Sequence, residues 1–187
     1  GDAQDLKDAI AENHQLIEYF DEPSLDKNLV YNNAYFNSGK FFRVDKDGDY
    51  KFILEGNGKD VVKNLIIIES GVTCRLILKI MGKGEVNVVN TLYIKEHGKC
   101  TFGFLDIFDG VLGGLNRCYL EADGKLDVCC GHFSSGLSRV YTENYLLGDY
   151  ASGNIFDIYL CEHEAELSSR VYCKARCNKS LVLSKGI

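Results

Sequence analysis

The feature that most limits how this chain can fold is a repeat. Tyr93-Ile94, Tyr119-Leu120 and Tyr145-Leu146 recur every 26 residues, with Ile67-Ile68 one period earlier and Val171-Tyr172 one later. A polar turn follows each pair, such as Glu96-His97-Gly98 or Ala122-Asp123-Gly124, and then an alternating apolar strand, such as Cys100-Thr101-Phe102-Gly103-Phe104. One such unit cannot bury its own apolar face, but stacked neighbours can, with parallel pairing at ~4.8 Å satisfying the backbone between rungs. A period of 26 holds two strands and two connections. The expected fold is therefore all-β, a flattened right-handed parallel β-helix. An antiparallel sandwich or barrel would need two-residue hairpins between most strands. Asn-Gly occurs only at Asn57-Gly58, and Asp-Gly only at Asp47-Gly48, Asp109-Gly110 and Asp123-Gly124.

Residues 1–22 read as an N-terminal helix, with Leu6, Ala9, Ile10, Leu16, Ile17 and Phe20 at about 3.6-residue spacing and Pro23 closing it. From residue 23 to 187 the chain lacks helical period and is rich in β-branched and aromatic residues, so that whole stretch is assigned to the solenoid. Lys+Arg of 21 against Asp+Glu of 27 gives a net charge of −6, which argues against nucleic acid as the main partner. There is no apolar run long enough to span a bilayer and no signal-peptide pattern, so a soluble, cytoplasmic protein that does not bind membranes is expected.

The eight cysteines are then expected as reduced thiols, and no C-x-x-C pair is present to make a ready zinc ribbon. Strand parity sorts them. Cys74 and Cys100 are one period apart and should stack inside as small hydrophobes. Cys130 is expected inside too, in a column running Leu78, Phe104, Cys130, Phe156, Val182, while Cys129 should point outward. Cys161 and His163 belong to a run of four potential ligands, Cys161-Glu162-His163-Glu164, and are candidate metal ligands; parity places Cys161 outside with Asp157 and Tyr159. Cys173 and Cys177 share parity with Val171 and Ala175, which is the pattern of core thiols. Asp106 and His132, one period apart, should meet as an ion pair on adjacent rungs. No nucleophile–base pair, phosphate loop or H-E-x-x-H motif is present, so an enzyme is not expected.

Three segments resemble the SufB/SufD family, the scaffold proteins of SUF-system iron–sulfur cluster assembly. Lys63-Asn64-Leu65-Ile66-Ile67-Ile68-Glu69-Ser70-Gly71 is similar to the strand and turn opening that family's repeat core. Leu146-Leu147-Gly148-Asp149-Tyr150-Ala151, followed by Ile158-Tyr159-Leu160, resembles its L-x-G-x-x-A strand with a later Tyr-Leu. Ser180-Leu181-Val182-Leu183-Ser184-Lys185-Gly186-Ile187 matches a Ser placed a few residues before a Lys-Gly-Ile. The resemblance covers about residues 60–187, and it implies a right-handed parallel β-helix that carries a transient iron–sulfur cluster or iron.

It also implies a homodimer or a SufB/SufD-like partner, and a SufC-like ATPase. Family members hold that ATPase through a segment beyond Lys-Gly-Ile, so a sequence ending at Ile187 is expected to be either a fragment or a short homologue that cannot hold the ATPase in the family's manner. By the resemblance, Cys173 stands where the family has a last-rung His, Cys177 lies in the segment after it, and Cys118 stands near a functional Cys of SufB members. These three are the candidate cluster-binding residues. The alternative is a β-helix interaction platform without metal; a polysaccharide-acting enzyme would want acidic residues gathered on one outer face, whereas here they are spread over the turns.

Overall fold

The computed structural model describes residues 3–20, 27–160 and 164–186. Strands follow in chain order as β1 (Gln4–Asp5), β2 (Lys40–Val44), β3 (Gly48–Gly56), β4 (Lys59–Ile68), β5 (Thr73–Ile94), β6 (Lys99–Leu120), β7 (Lys125–His132), β8 (Leu137–Leu146), β9 (Ser152–Tyr159), β10 (Ala165–Cys173) and β11 (Lys179–Gly186). Apart from the antiparallel pair β1–β2, every pairing is parallel. One face of the solenoid stacks β3, the first half of β5, the first half of β6, β7, β9 and β11. The other stacks β2, β4, the second halves of β5 and β6, β8 and β10. The β-helix of about six turns that the 26-residue repeat requires is the observed fold.

Strands β5 and β6 pass from one face to the other through glycine bends. Gly82 (φ 115°) and Gly110 (φ 139°) lie in backbone regions that L side chains rarely adopt. A Cβ on either would also stand 2.1 Å from the carbonyl oxygen of the rung before, Gly56 and Gly84 respectively. At the opposite edge, the tight turns repeat a left-handed residue in register: Gly71, His97, Asp123, Tyr150 and Cys177. Each of the first four donates its N–H to a carbonyl of the next rung's turn, for example His97 to Ala122 at 3.0 Å and Tyr150 to Arg176 at 3.0 Å.

The interior is packed with Val, Leu, Ile and Phe from both faces. One polar column crosses it: Asn64 donates to Asn90 (2.8 Å), Asn90 to Asn116 (2.8 Å) and Asn116 to the Thr142 hydroxyl (3.4 Å). Side-chain amides stacked at the rung spacing can both donate and accept, so each residue satisfies its neighbours out of water. On the outer surface of the second face Tyr93, Tyr119, Tyr145 and Tyr172 stack in turn, with ring centroids 4.6, 5.1 and 4.7 Å apart.

Two sequence expectations need correction. The first concerns register. The turn between β6 and β7 has four residues (121–124), but the turn between β8 and β9 has five (147–151). Pairing therefore becomes Lys125 with Ser152 and Ser152 with Lys179, a period of 27 rather than 26. A one-residue slip exchanges the two faces of a strand. Cys130 accordingly pairs with Phe104 and Asp157, not Phe156, and Asp157 pairs with Ser184, not Val182. Gly153, Ile155 and Asp157 point inward, whereas Ile158 is exposed.

The second concerns the helices. The N-terminal segment is a helix α1 (Leu6–Glu12), capped by Asp5, whose carboxylate accepts from Lys7 N–H at 2.9 Å, followed by a 3-10 helix (His14–Phe20). A further helix α2 (Lys27–Tyr35) stands where only strand was expected. Its inward positions include Leu29 and Asn32, and the polar Asn32 hides the helical period. Asn32 is buried because it donates to the Val62 carbonyl and the Asn87 side chain, both at 2.9 Å. α1 and the 3-10 helix cover Leu65 and Ile67, and Leu29 of α2 packs on Val89 and Leu115. Among the described residues no helix is long and apolar enough to cross a membrane.

Replacing Asn90 with Leu strips both neighbours in the amide column of a partner. The expected loss is about 2–6 kcal/mol of unfolding free energy, at about 1–3 kcal/mol for each of the two buried polar groups left unsatisfied. Urea denaturation monitored by circular dichroism measures it.

Candidate functional site

The core changes character along the solenoid axis. One interior column runs Phe52, Leu78, Phe104, Cys130, Asp157, Ser184, and the neighbouring one runs Leu54, Ile80, Asp106, His132. Burying carboxylates where earlier rungs carry leucine and isoleucine is costly unless each is partnered. Each is. His132 Nδ1 lies 2.5 Å from Asp106 Oδ2, as the spacing predicts, and the Ser134 hydroxyl donates to Asp106 Oδ1. Asp157 Oδ2 accepts from Ser169 at 2.5 Å and from Ser184 at 3.1 Å. Ser169 comes from β10 on the opposite face, continuing the Asn column one rung beyond Thr142.

Cys130, His132 and Asp157 converge: their ligand atoms lie within 4.8 Å of one another, and all three residues are buried. Cys130 Sγ also stands 3.8 Å from the Thr142 hydroxyl. Burial, and then the Asp157 carboxylate, push the Cys130 thiol well above its ordinary range. The set offers sulfur, nitrogen and oxygen donors at one point. Asp157 was assigned to the outer surface by the uniform 26-residue register; the only sequence signal for it is the extra residue in the turn 147–151.

The other thiols divide by place. Cys74 and Cys100 are direct rung neighbours, both buried, as expected. Their mutual hydrogen bond holds the Cys74 thiol below its ordinary range and, with burial, raises Cys100. Cys118 is wholly buried between Leu92 and Asn144, and burial pushes its thiol far up. Cys129 is exposed, as parity predicts.

Cys173 and Cys177 are exposed, not core thiols. Cys173 occupies the inward column of Ile94, Leu120 and Leu146, but in the last described rung, where nothing stacks on it among the described residues. Cys177 is the left-handed residue of its turn (φ 57°), where strand alternation does not apply. Beside them β10 and β11 each pair on one side only among the described residues, and Leu181, Val182 and Leu183 are exposed. Cys161 and His163, the expected metal-ligating pair, lie outside the described residues.

On the outer surface the N-terminal helices bury a cation. Lys63 Nζ lies 4.2 Å from the centroid of the Phe20 ring and donates to Asn33 Oδ1. Burial, helped by the nearby Arg117 guanidinium, lowers its pKa from 10.5 to about 8.

No family model matches this chain, and a search of the curated proteins finds no match.

Two outcomes follow from these placements. Brief alkylation of the native protein, read by mass spectrometry, labels Cys129, Cys173 and Cys177 ahead of Cys74, Cys100, Cys118 and Cys130. Because Lys63 holds its proton less tightly when folded than when unfolded, stability rises as pH climbs from about 8 towards 10.5. The gain from this one group is up to about 3 kcal/mol. Lys63→Met removes that rise, and denaturation midpoints measured across this window show the difference.

Proposed function

We propose that this protein is a non-catalytic scaffold subunit of SUF-type iron–sulfur cluster assembly, related to SufB and SufD. The observation that carries the reading is the last described rung, where Cys173 and Cys177 stand exposed beside strand edges with no neighbour among the described residues. The segments similar to the SufB/SufD repeat core support it, as does the β-helix itself.

Iron–sulfur clusters of the common types take four thiolates. Cys173 and Cys177 from each of two chains reach that number when the two last described rungs face each other. A homodimer, or a pair with a SufB/SufD-like subunit, is the assembly proposed, and the nascent cluster is its cargo. The exposed strand edges and the apolar Leu181, Val182 and Leu183 are the surface such a pairing would cover. A SufC-like ATPase as a further partner and a cytoplasmic location belong to the same reading. The competing reading, an interaction platform without metal, draws on the four described thiols that are buried.

Anaerobic reconstitution with ferrous iron and sulfide separates the two. The scaffold reading expects a visible charge-transfer spectrum that Cys173→Ser and Cys177→Ser together abolish while the fold, read by circular dichroism, is kept. A folded full chain that builds no cluster, alone or with its partners, overturns it.

A further inference from the structure

We propose that Cys130, His132 and Asp157 form a binding site for one divalent transition-metal ion of the zinc class, enclosed within the solenoid. The site uses none of the exposed thiols of the last described rung and stands or falls separately from the scaffold reading.

The case begins with what a hydrogen-bonded core would require. An Asp–His–Ser triplet is complete in itself, since Asp106 accepts from both Ser134 and His132. Nothing in that triplet calls for a second carboxylate and a thiol beside the imidazole. Yet Cys130 and Asp157 are brought there by adjacent rungs, and all three ligand atoms fall within 4.8 Å.

The outer contacts name the atoms a metal would use, and the Cys130 thiol already hydrogen-bonds to Asp157. Asp106 occupies His132 Nδ1 and fixes the ring, so Nε2 is the nitrogen that would ligate a metal. A carboxylate behind the imidazole in this way is the usual support of a metal-binding histidine. Ser169 and Ser184 both donate to Asp157 Oδ2, so Oδ1 is the oxygen that would ligate a metal. Thiolate, imidazole and carboxylate together suit a borderline ion such as zinc; magnesium and calcium prefer oxygen alone. At Zn–S ~2.3 Å and Zn–N ~2.0 Å a tetrahedral ion draws its ligands to roughly 3.5 Å apart. Small side-chain rotations close the difference. A water would fill the fourth position.

Binding is balanced in protons: the Cys130 S–H bond breaks, a metal–sulfur bond forms, and one proton leaves to solvent. Among the described residues only β11, exposed along its whole length, lies beyond Asp157 in this column, and its Ser184 donates to Asp157.

Cobalt(II) is the probe. The reduced full chain, stripped of metal by a chelator under native conditions, is titrated anaerobically with cobalt. One equivalent should bind, giving tetrahedral d–d bands and a sulfur-to-cobalt charge-transfer band, and one equivalent of zinc should displace it. Cys130→Ser abolishes the charge-transfer band, whereas Cys173→Ser with Cys177→Ser leaves it intact. Asp106→Asn, which alters a positioning residue, keeps the band and weakens affinity about 10–100-fold. Persistence of the band in a folded Cys130→Ser protein overturns the proposal, as does absence of binding by the folded native chain. X-ray absorption of the cobalt-loaded native protein decides the matter even if the variants do not fold. One sulfur with nitrogen and oxygen donors supports the site; a shell of several sulfurs, or of none, overturns it.

Discussion

Everything in this molecule depends on parallel strands pairing in register from one rung to the next. The backbone of each rung is satisfied by its neighbours, and each inward side chain rests on the residue one period away. Like groups therefore accumulate in columns: tyrosines outside, asparagines inside, left-handed residues along the turn edge. Such columns are stabilising only when the repeated group can contact itself. Amides and aromatic rings can. Carboxylates cannot, and Asp106, His132, Asp157 and Ser184 accordingly alternate with partners of complementary chemistry.

Much of this could be read before any coordinates. The recurrence of Tyr93, Tyr119 and Tyr145 carries the architecture, because only stacked rungs make a 26-residue spacing meaningful. The contact between Asp106 and His132 follows from the same arithmetic. What escaped was whatever departs from strict repetition. α2 hid because Asn32, polar and buried, fills an inward helical position. Asp157 hid because the turn after Leu146 is one residue longer than its predecessors. Cys177 hid because it sits in a turn, where counting by twos has no meaning. Cys173 follows the inward parity expected of it, but its exposure depends on being in the last described rung, a matter of neighbours and not of pattern.

The N-terminal helices add a different kind of constraint. They cover the outer surface of the second face over the early rungs, and in doing so they enclose Lys63 against Phe20 and Asn33. Farther along, Tyr145 and Tyr172 continue the same surface without that cover. The result is a solenoid whose early rungs are insulated and whose later described rungs carry a more polar interior, where its chemically versatile side chains gather.

The five-residue turn at 147–151 has a wider meaning. In a globular fold an inserted surface residue is absorbed locally. Here one extra link, far from the axis and harmless to backbone pairing, turns a whole strand over like a card, so that what faced solvent now lines the interior. Loop length thus acts as an editing device for the core. A lineage could recompose the chemistry inside such a tube by lengthening its loops, with no change to the strands themselves.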